Sequence, residues 1–270
     1  MESCGKELII KETKKAMDAA NFAKEGLQSQ GIISVGGDGT LQEVVSGMLD
    51  GQDKCDTPLC AISCGSGNDW QRSLNSSQTL EARIQSIIAG KTRAIDAIRA
   101  NNMGLGLASI NIANIGLDVE IVKRAQPLKK IFGKNSYVVS ALISIAKHKN
   151  HSLTVFIDDK EAINGDFTLV AICNGQYYGG NMRITPSAII DDGKITLCLV
   201  KGLSRSKILM LFPLMLLEKH TKLKDIEYIE CKKVTIISNN RQSLSLDGNI
   251  YEIDKPLNFE ILPNAIQIFE

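Results

Sequence analysis

Apolar residues in the first third of the chain alternate between strand-like runs and helical spacing. Ile32, Ile33 and Val35 form a short, partly β-branched run that predicts a buried parallel strand. Gly36, Gly37 and Gly39 follow, and beyond Thr40 the apolar positions Leu41, Val44, Val45, Met48 and Leu49 recur at the spacing of one helix face. Upstream, Leu8 to Ile10 read as another strand, and Ala16, Ala19, Ala20, Ala23 and Leu27 as a helix, so the chain opens β-α-β. Leu59 to Ile62 predicts the next strand, closed by the glycine-rich stretch Gly65-Ser66-Gly67-Asn68-Asp69-Trp70, and a helix from Gln78 to Ala89 comes after it. This alternation predicts a parallel sheet with helices on its faces. Ligand crevices in such sheets lie beyond the carboxyl ends of the strands, so two glycine-rich bends at neighbouring strand tips would face one bound molecule.

From Thr92 onward the pattern changes to strands. Ala94 to Ile98, Leu105 to Ile112, Ser152 to Ile157, Phe167 to Cys173, Lys194 to Val200, Val234 to Ile237, Ser243 to Leu246 and Leu257 to Ile261 all read so. The pairs Asp158-Asp159, Asn164-Gly165 and Asp247-Gly248 read as turns between them. Two helical insertions are expected, from about Ser136 to His148 and from Ser204 to Lys219. The second holds the unbroken apolar run Ile208 to Leu217, which reads either as a border to a lipid site or membrane surface, or as a core helix kinked at Pro213. The expected division is a nucleotide-binding α/β domain over 1–93 and a β-sandwich domain over 94–270, the last few residues returning to the first domain.

Composition narrows the classes. A chain of 270 residues with 44% hydrophobic and 23% charged content is an ordinary globular one. Its net charge of +1 supplies no field for nucleic acid, and no basic stripe interleaves with aromatics, so no nucleic-acid partner is expected. Seven cysteines without paired spacing suit a reducing compartment, and no run reaches the ~18 apolar residues of a membrane span. The expected location is therefore cytoplasmic.

The candidate chemistry sits in the first glycine bend. Glycines let a ligand approach bare backbone N–H groups, and the positive end of the following helix suits phosphate. Asp38 would repel that phosphate unless a divalent cation lay between them, so it reads as a magnesium ligand or a base. A plain strand-to-helix turn is the alternative.

Five ordered stretches resemble the diacylglycerol kinase catalytic-domain family, in its soluble bacterial lipid-kinase branch related to sphingosine and ceramide kinases. They are Gly36-Gly37-Asp38-Gly39-Thr40 with Glu43 to Gly47, Gly65 to Trp70 with Arg72 to Leu74, Asn111 to Asp118, Gly179-Gly180-Asn181-Met182 with Pro186 to Ala188, and Asp191-Asp192-Gly193. The resemblance implies an α/β plus β fold: a Rossmann-like N-terminal domain with a parallel sheet, then a mostly antiparallel β-sandwich domain. It also implies transfer of the γ-phosphoryl group from ATP, with Mg²⁺, to a lipid hydroxyl at the membrane surface, the protein lying peripheral to the membrane. By carry-over, Gly36, Gly37, Gly39 and Thr40 would hold phosphates, and Gly65, Ser66, Gly67 and Asn68 would line the nucleotide. Asp38, Asp69 and Asp96 would form an acidic network around the metal, and Asp191 and Asp192 a second, structural magnesium site. Taken alone, Asp69 reads equally as a helix N-cap, Asp96 as a strand-end turn residue and Asp191-Asp192-Gly193 as a hairpin turn.

Two departures from the family pattern shape the expectation. Where the family has Asp-Gly-Glu, this chain has Asp247-Gly248-Asn249, and Asn249 at the usual catalytic glutamate position cannot accept a proton at neutral pH. The family also opens with a strand and an Asn-Pro-x-Ser-Gly loop, whereas here Met1 to Lys6 lead at once into what resembles its second strand. The nucleotide domain is thus expected to be N-terminally incomplete, with a sheet edge that invites pairing of two copies. A catalytically weak or inactive nucleotide or lipid binder is the alternative, and NAD kinase-like activity a second, because NAD kinases share the Gly-Gly-Asp-Gly loop.

Overall fold

The computed structural model describes residues 7–74, 79–101, 106–133, 136–180, 182–254 and 256–270; Met1 to Lys6, Gln78, Leu105 and Asn181, named above, lie outside them. The first elements are α1 (Asp18–Glu25), β1 (Ile32–Gly36), α2 (Asp38–Met48), β2 (Cys55–Ser63), α3 (Asp69–Ser73) and α4 (Leu80–Ala89). β1 and β2 run parallel, Ile32 opposite Leu59 and Gly36 opposite Ser63, so both glycine bends emerge at the same end. Leu41, Val44, Val45 and Met48 of α2 meet Ala19 and Ala23 of α1 in one core beside the sheet. On the opposite face Ile87 of α4 packs with Cys60 and Phe269. Helices on both faces are what a parallel sheet requires.

The expected strand at Leu8 to Ile10 does not form. Those residues are irregular and 44%, 75% and 82% exposed. Three apolar residues flanked by Glu7, Lys11 and Glu12 have little to bury, and Lys11 instead pairs with Glu25 at the end of α1. Among the described residues β1 pairs with β2 alone, and Val35 on this edge is exposed rather than buried.

The chain continues through β3 (Thr92–Asn101), β4 (Leu107–Ser109), β5 (Ile112–Gly116), α5 (Leu117–Phe132), α6 (Ser136–Lys147), β6 (His151–Ile157) and β7 (Glu161–Cys173). Then come β8 (Tyr177–Tyr178), β9 (Met182–Arg183), β10 (Ile195–Lys201), α7 (Arg205–Leu216), β11 (Ile226–Cys231), β12 (Lys233–Ile237), β13 (Gln242–Leu246), β14 (Asn249–Ile253) and β15 (Leu257–Phe269). The fold is the Rossmann-like parallel unit followed by an antiparallel β-sandwich, whose interior joins Ile98, Ile115, Val155, Ile172, Leu197, Val234, Leu244 and Phe259. The single run expected from Leu105 to Ile112 is broken into β4 and β5. Side chains take the backbone groups at the break: the Asp247 carboxylate accepts from Ile110 N and Ile112 N, and Asn174 Nδ2 donates to Ile110 O.

Asp158-Asp159 and Asp247-Gly248 do turn hairpins, all four residues having positive φ. Asn164-Gly165 does not; it lies inside β7, with Gly165 opposite Leu153, because the turn at Asp158 has already started that strand. A third helix in this half, α5, runs through Pro127 where sequence reading expected no helix. Residues Ile208, Leu211, Phe212 and Met215 of α7 pack inward with α5 and α6, so only one side of this helix belongs to the core.

β15 joins the two halves. Its first part pairs with β12, its last part runs parallel to β2, and β3 follows it along most of its length. The register breaks between Leu262 and Ile266, opposite Asp96.

Candidate active site

Both bends close on each other. Cys64 N donates to Gly36 O at 2.7 Å, and a Cβ at Gly65 would lie 2.6 Å from Gly37 Cα, so only glycine permits this approach. α2 starts after Gly37 with no side-chain cap, which leaves N–H groups of its first turn for other acceptors. Asp38 stands at the junction. Its Oδ2 accepts from Asp69 N at 3.2 Å and its Oδ1 from Trp70 N at 3.3 Å, so Asp38 itself caps α3, and buried Trp70 anchors that helix. Asn68 adopts φ 56°, and its Oδ1 is buried without a partner.

Asp69 therefore does not cap its own helix. Both of its carboxylate oxygens accept from Gly180 N, at 3.0 and 2.9 Å, and Arg72 lies at 3.3 Å. This ties α3 to the connection between β8 and β9. A second tie comes from Asn249, whose Nδ2 donates to Gly39 O at 2.9 Å and to Gln42 Oε1 at 2.8 Å. Tyr251 OH donates to the same Gln42 oxygen at 3.0 Å. A Cβ at Gly39 would sit 2.6 Å from Asn249 Oδ1, so the glycine here admits Asn249.

Near Asp38 lies buried Asp247, expected only as a turn residue, and near Asp69 lies buried Asp118. Asp247 accepts from Ser109 Oγ at 2.7 Å as well as from Ile110 N and Ile112 N. Burial pushes its carboxyl up to about 7, and the charge on Asp38 adds to the rise. Asp118 accepts from Asn114 Nδ2 at 2.8 Å and from Tyr137 OH at 3.2 Å. Burial pushes it likewise up to about 7, with Asp69 contributing. The signal for Asp118 was present in the sequence, as an acid directly after the apolar stretch Ile115 to Leu117.

Asp96, Asp191 and Asp192 gather elsewhere. Asp96 is fully buried and accepts from Gly193 N at 2.6 Å and Asn264 N at 2.8 Å, which pins the register break of β15 to the turn at Gly193. Burial raises its pKa, and Asp192 and Asp191 raise it further. Asp192 Oδ1 accepts from Lys194 N at 3.0 Å, and Asp191 pairs with Arg93 at 3.4 Å. Among the described residues no three His, Cys, Asp or Glu side chains converge, and Asp96 bonds to the Asp191-Asp192-Gly193 turn rather than to Asp38 and Asp69. Mg²⁺ usually takes one or two carboxylates together with phosphate oxygens and water, and Asp38 with Asp69 fit that pattern.

Comparison with known proteins agrees with the geometry. Residues 1–100 match the diacylglycerol kinase catalytic domain, and residues 111–270 match the YegS C-terminal NAD kinase beta sandwich-like domain. A diacylglycerol kinase of Staphylococcus epidermidis (strain RP62A) is 29% identical over 272 aligned positions, covering 100% of this chain and 84% of its own. A crystal structure of a diacylglycerol kinase from Bacillus anthracis str. Sterne superposes with a TM-score of 0.69 at 21% identity, covering 97% of this chain and 85% of that one. An NAD kinase from Archaeoglobus fulgidus in complex with ATP shares the fold at a TM-score of 0.52 and 13% identity, covering 92% of this chain and 80% of that one.

Proposed function

Because this chain belongs to the diacylglycerol kinase family of lipid kinases, we propose that it transfers the γ-phosphoryl group of ATP to the hydroxyl of diacylglycerol or a similar single-hydroxyl lipid. The observation that carries this reading is the contact of the two glycine bends, with the Asp38 carboxylate fastened across them to the N–H groups that open α3. The uncapped start of α2 and the unpartnered Asn68 Oδ1 support a nucleotide against Gly36, Gly37, Gly39, Thr40, Gly65, Ser66, Gly67 and Asn68. Mg²⁺, when bound, would neutralise phosphate charge, and Asp38 and Asp69 are the residues that would hold it.

We assign the hydroxyl proton to Asp38. Asn249 has no proton-accepting carboxylate, and its amide is already spent on Gly39 and Gln42. The role of Asn249 is to keep the first turn of α2 in position. Asp69, fixed by Gly180 N, orients the opposite wall of the cleft.

The test is transfer of labelled phosphate from ATP, with Mg²⁺, to dioleoylglycerol in mixed micelles. The expected result is labelled phosphatidic acid, and a fall in kcat of roughly 10²–10⁴-fold in Asp38→Asn with an unchanged circular dichroism spectrum. Folded wild-type protein that labels no lipid would overturn the reading, and labelled NADP formed from NAD in its place would favour the NAD kinase alternative.

A further inference from the structure

Ten consecutive apolar residues, Ile208 to Leu217, run along α7 to the residue that caps its end, although only one side of the helix faces the core. On the other side Leu209, Met210 and Leu217 are 52%, 67% and 63% exposed, and Pro213 between them is exposed as well. α6 packs beside α7, its Ala141 and Ile145 sharing a core cluster with Ile208, and presents Val138 and Leu142 to solvent at 52% and 48%. Single exposed apolar residues are commonplace, but a contiguous patch on two adjoining helices marks a surface with a partner.

Charge identifies the partner. Basic residues bracket the patch, with Arg205 and Lys207 before it and Lys219, Lys222 and Lys224 after it. Asp225 pairs with Lys207 and Glu218 with Arg183. Lys219, Lys222 and Lys224 are exposed and have no acidic partner among the described residues. An exposed apolar strip followed directly in the chain by uncompensated lysines matches acyl chains beneath anionic headgroups. No helix among the described residues is long and apolar enough to cross a bilayer, so this one would lie along its surface.

Position links the patch to the site. The end of α7 packs against β9, and the segment beyond it is held to the same region by His220 Nε2 and Tyr228 OH, both bonded to Ile184 O. β9 follows the turn whose Gly180 N binds Asp69, while Tyr137 in the first turn of α6 binds Asp118. We infer that the outer faces of α7 and α6 form a docking surface that seats the protein in the interface of an anionic lipid bilayer, with Leu209, Met210 and Leu217 among the acyl chains and Lys219, Lys222 and Lys224 at the headgroups. This rests on the lipid-kinase reading for its purpose and on the surface alone for its geometry.

The test is co-sedimentation with vesicles of phosphatidylcholine and phosphatidylglycerol, set against vesicles of phosphatidylcholine alone. It is run alongside phosphorylation of monomeric dihexanoylglycerol and of dioleoylglycerol held in the vesicles. The expected result is binding that requires phosphatidylglycerol. It weakens at least tenfold in Leu209→Gln/Met210→Gln/Leu217→Gln and in Lys219→Gln/Lys222→Gln/Lys224→Gln, while activity on the monomeric acceptor stays at the wild-type level. Wild-type protein that phosphorylates the monomeric acceptor but does not sediment with the anionic vesicles overturns the docking surface and leaves the kinase reading intact. Vesicle binding that depends on both residue sets, with neither acceptor phosphorylated, supports docking and removes the kinase reading. Variants that bind vesicles as the wild type does while losing self-association in sedimentation equilibrium overturn the inference and assign the face to a second copy of this chain.

Discussion

Asp118 is a carboxyl group held where a charge is poorly tolerated. It is 4% exposed, and its hydrogen bonds from Asn114 and Tyr137 only partly offset burial. Its folded pKa of about 7 lies above the ordinary 3.8, so the native state binds this proton more tightly than the unfolded chain does. The resulting stability is complete below about pH 4 and is lost as pH rises toward 7. Asp118→Asn keeps the shape and removes the titration. Urea melts should show the variant gaining on the wild type between pH 5 and pH 8, with little difference at pH 4. Equal differences across that range would mean that Asp118 ionises freely in the native protein. Asp38 was legible in the sequence because an acid among glycines at a strand end is chemically conspicuous. Asp247 was not, because its importance comes from burial and from donors distant along the chain, such as Ser109; Asp118 stood out only as an acid at the end of an apolar stretch, and its burial came from the fold.

Among the elements, β14 and α2 are joined by Asn249, two hundred residues beyond the glycine bend it steadies. Asn249→Ala removes two hydrogen bonds at this joint and should lower stability by about 1 kcal/mol. It should also raise KM for ATP more than it lowers kcat, since the loss falls on the loop that receives phosphate; steady-state kinetics at varied ATP would show a kcat effect instead if Asn249 acted in the chemical step. Strands β1 to β3, β6, β7, β10, β12, β13 and β15, the glycine bends and α1, α2, α4, α6 and α7 were readable because hydrophobic spacing and turn residues are local signals. α5 escaped notice because Pro127 reads as a breaker, although the helix runs on through it. β11 escaped for a different reason, its outward Glu227 and Glu230 diluting the apolar pattern of an edge strand. The exposed side of α7 was undecidable in advance, since an all-apolar helix gives no hint of which face the core leaves uncovered.

At the scale of the whole molecule, β15 is the seam. Ile266, Ile268 and Phe269 belong to the packing of the parallel unit, whereas Leu257, Phe259 and Ile261 belong to the β-sandwich. Removing residues 264–270 would strip the parallel unit of a central strand and deprive Asp96 of the Asn264 N–H. Such a truncation should abolish the cooperative thermal transition seen by circular dichroism. A truncated protein that melts like the full chain would show that the parallel unit stands without it. That parallel strands come first and antiparallel ones after was legible from the change of texture along the chain. The way one long strand serves both was not, because a register break opposite a buried carboxylate leaves no periodic trace.

That seam also sets an order of events during synthesis. A ribosome delivers the glycine bends and α2 early, yet the strand that fills the sheet between β2 and β3 is made after β1 to β14. Until then β2 and β3 of the nascent chain lack the strand that pairs with both of them. Completion of the parallel unit is thereby deferred until the β-sandwich strands have been made.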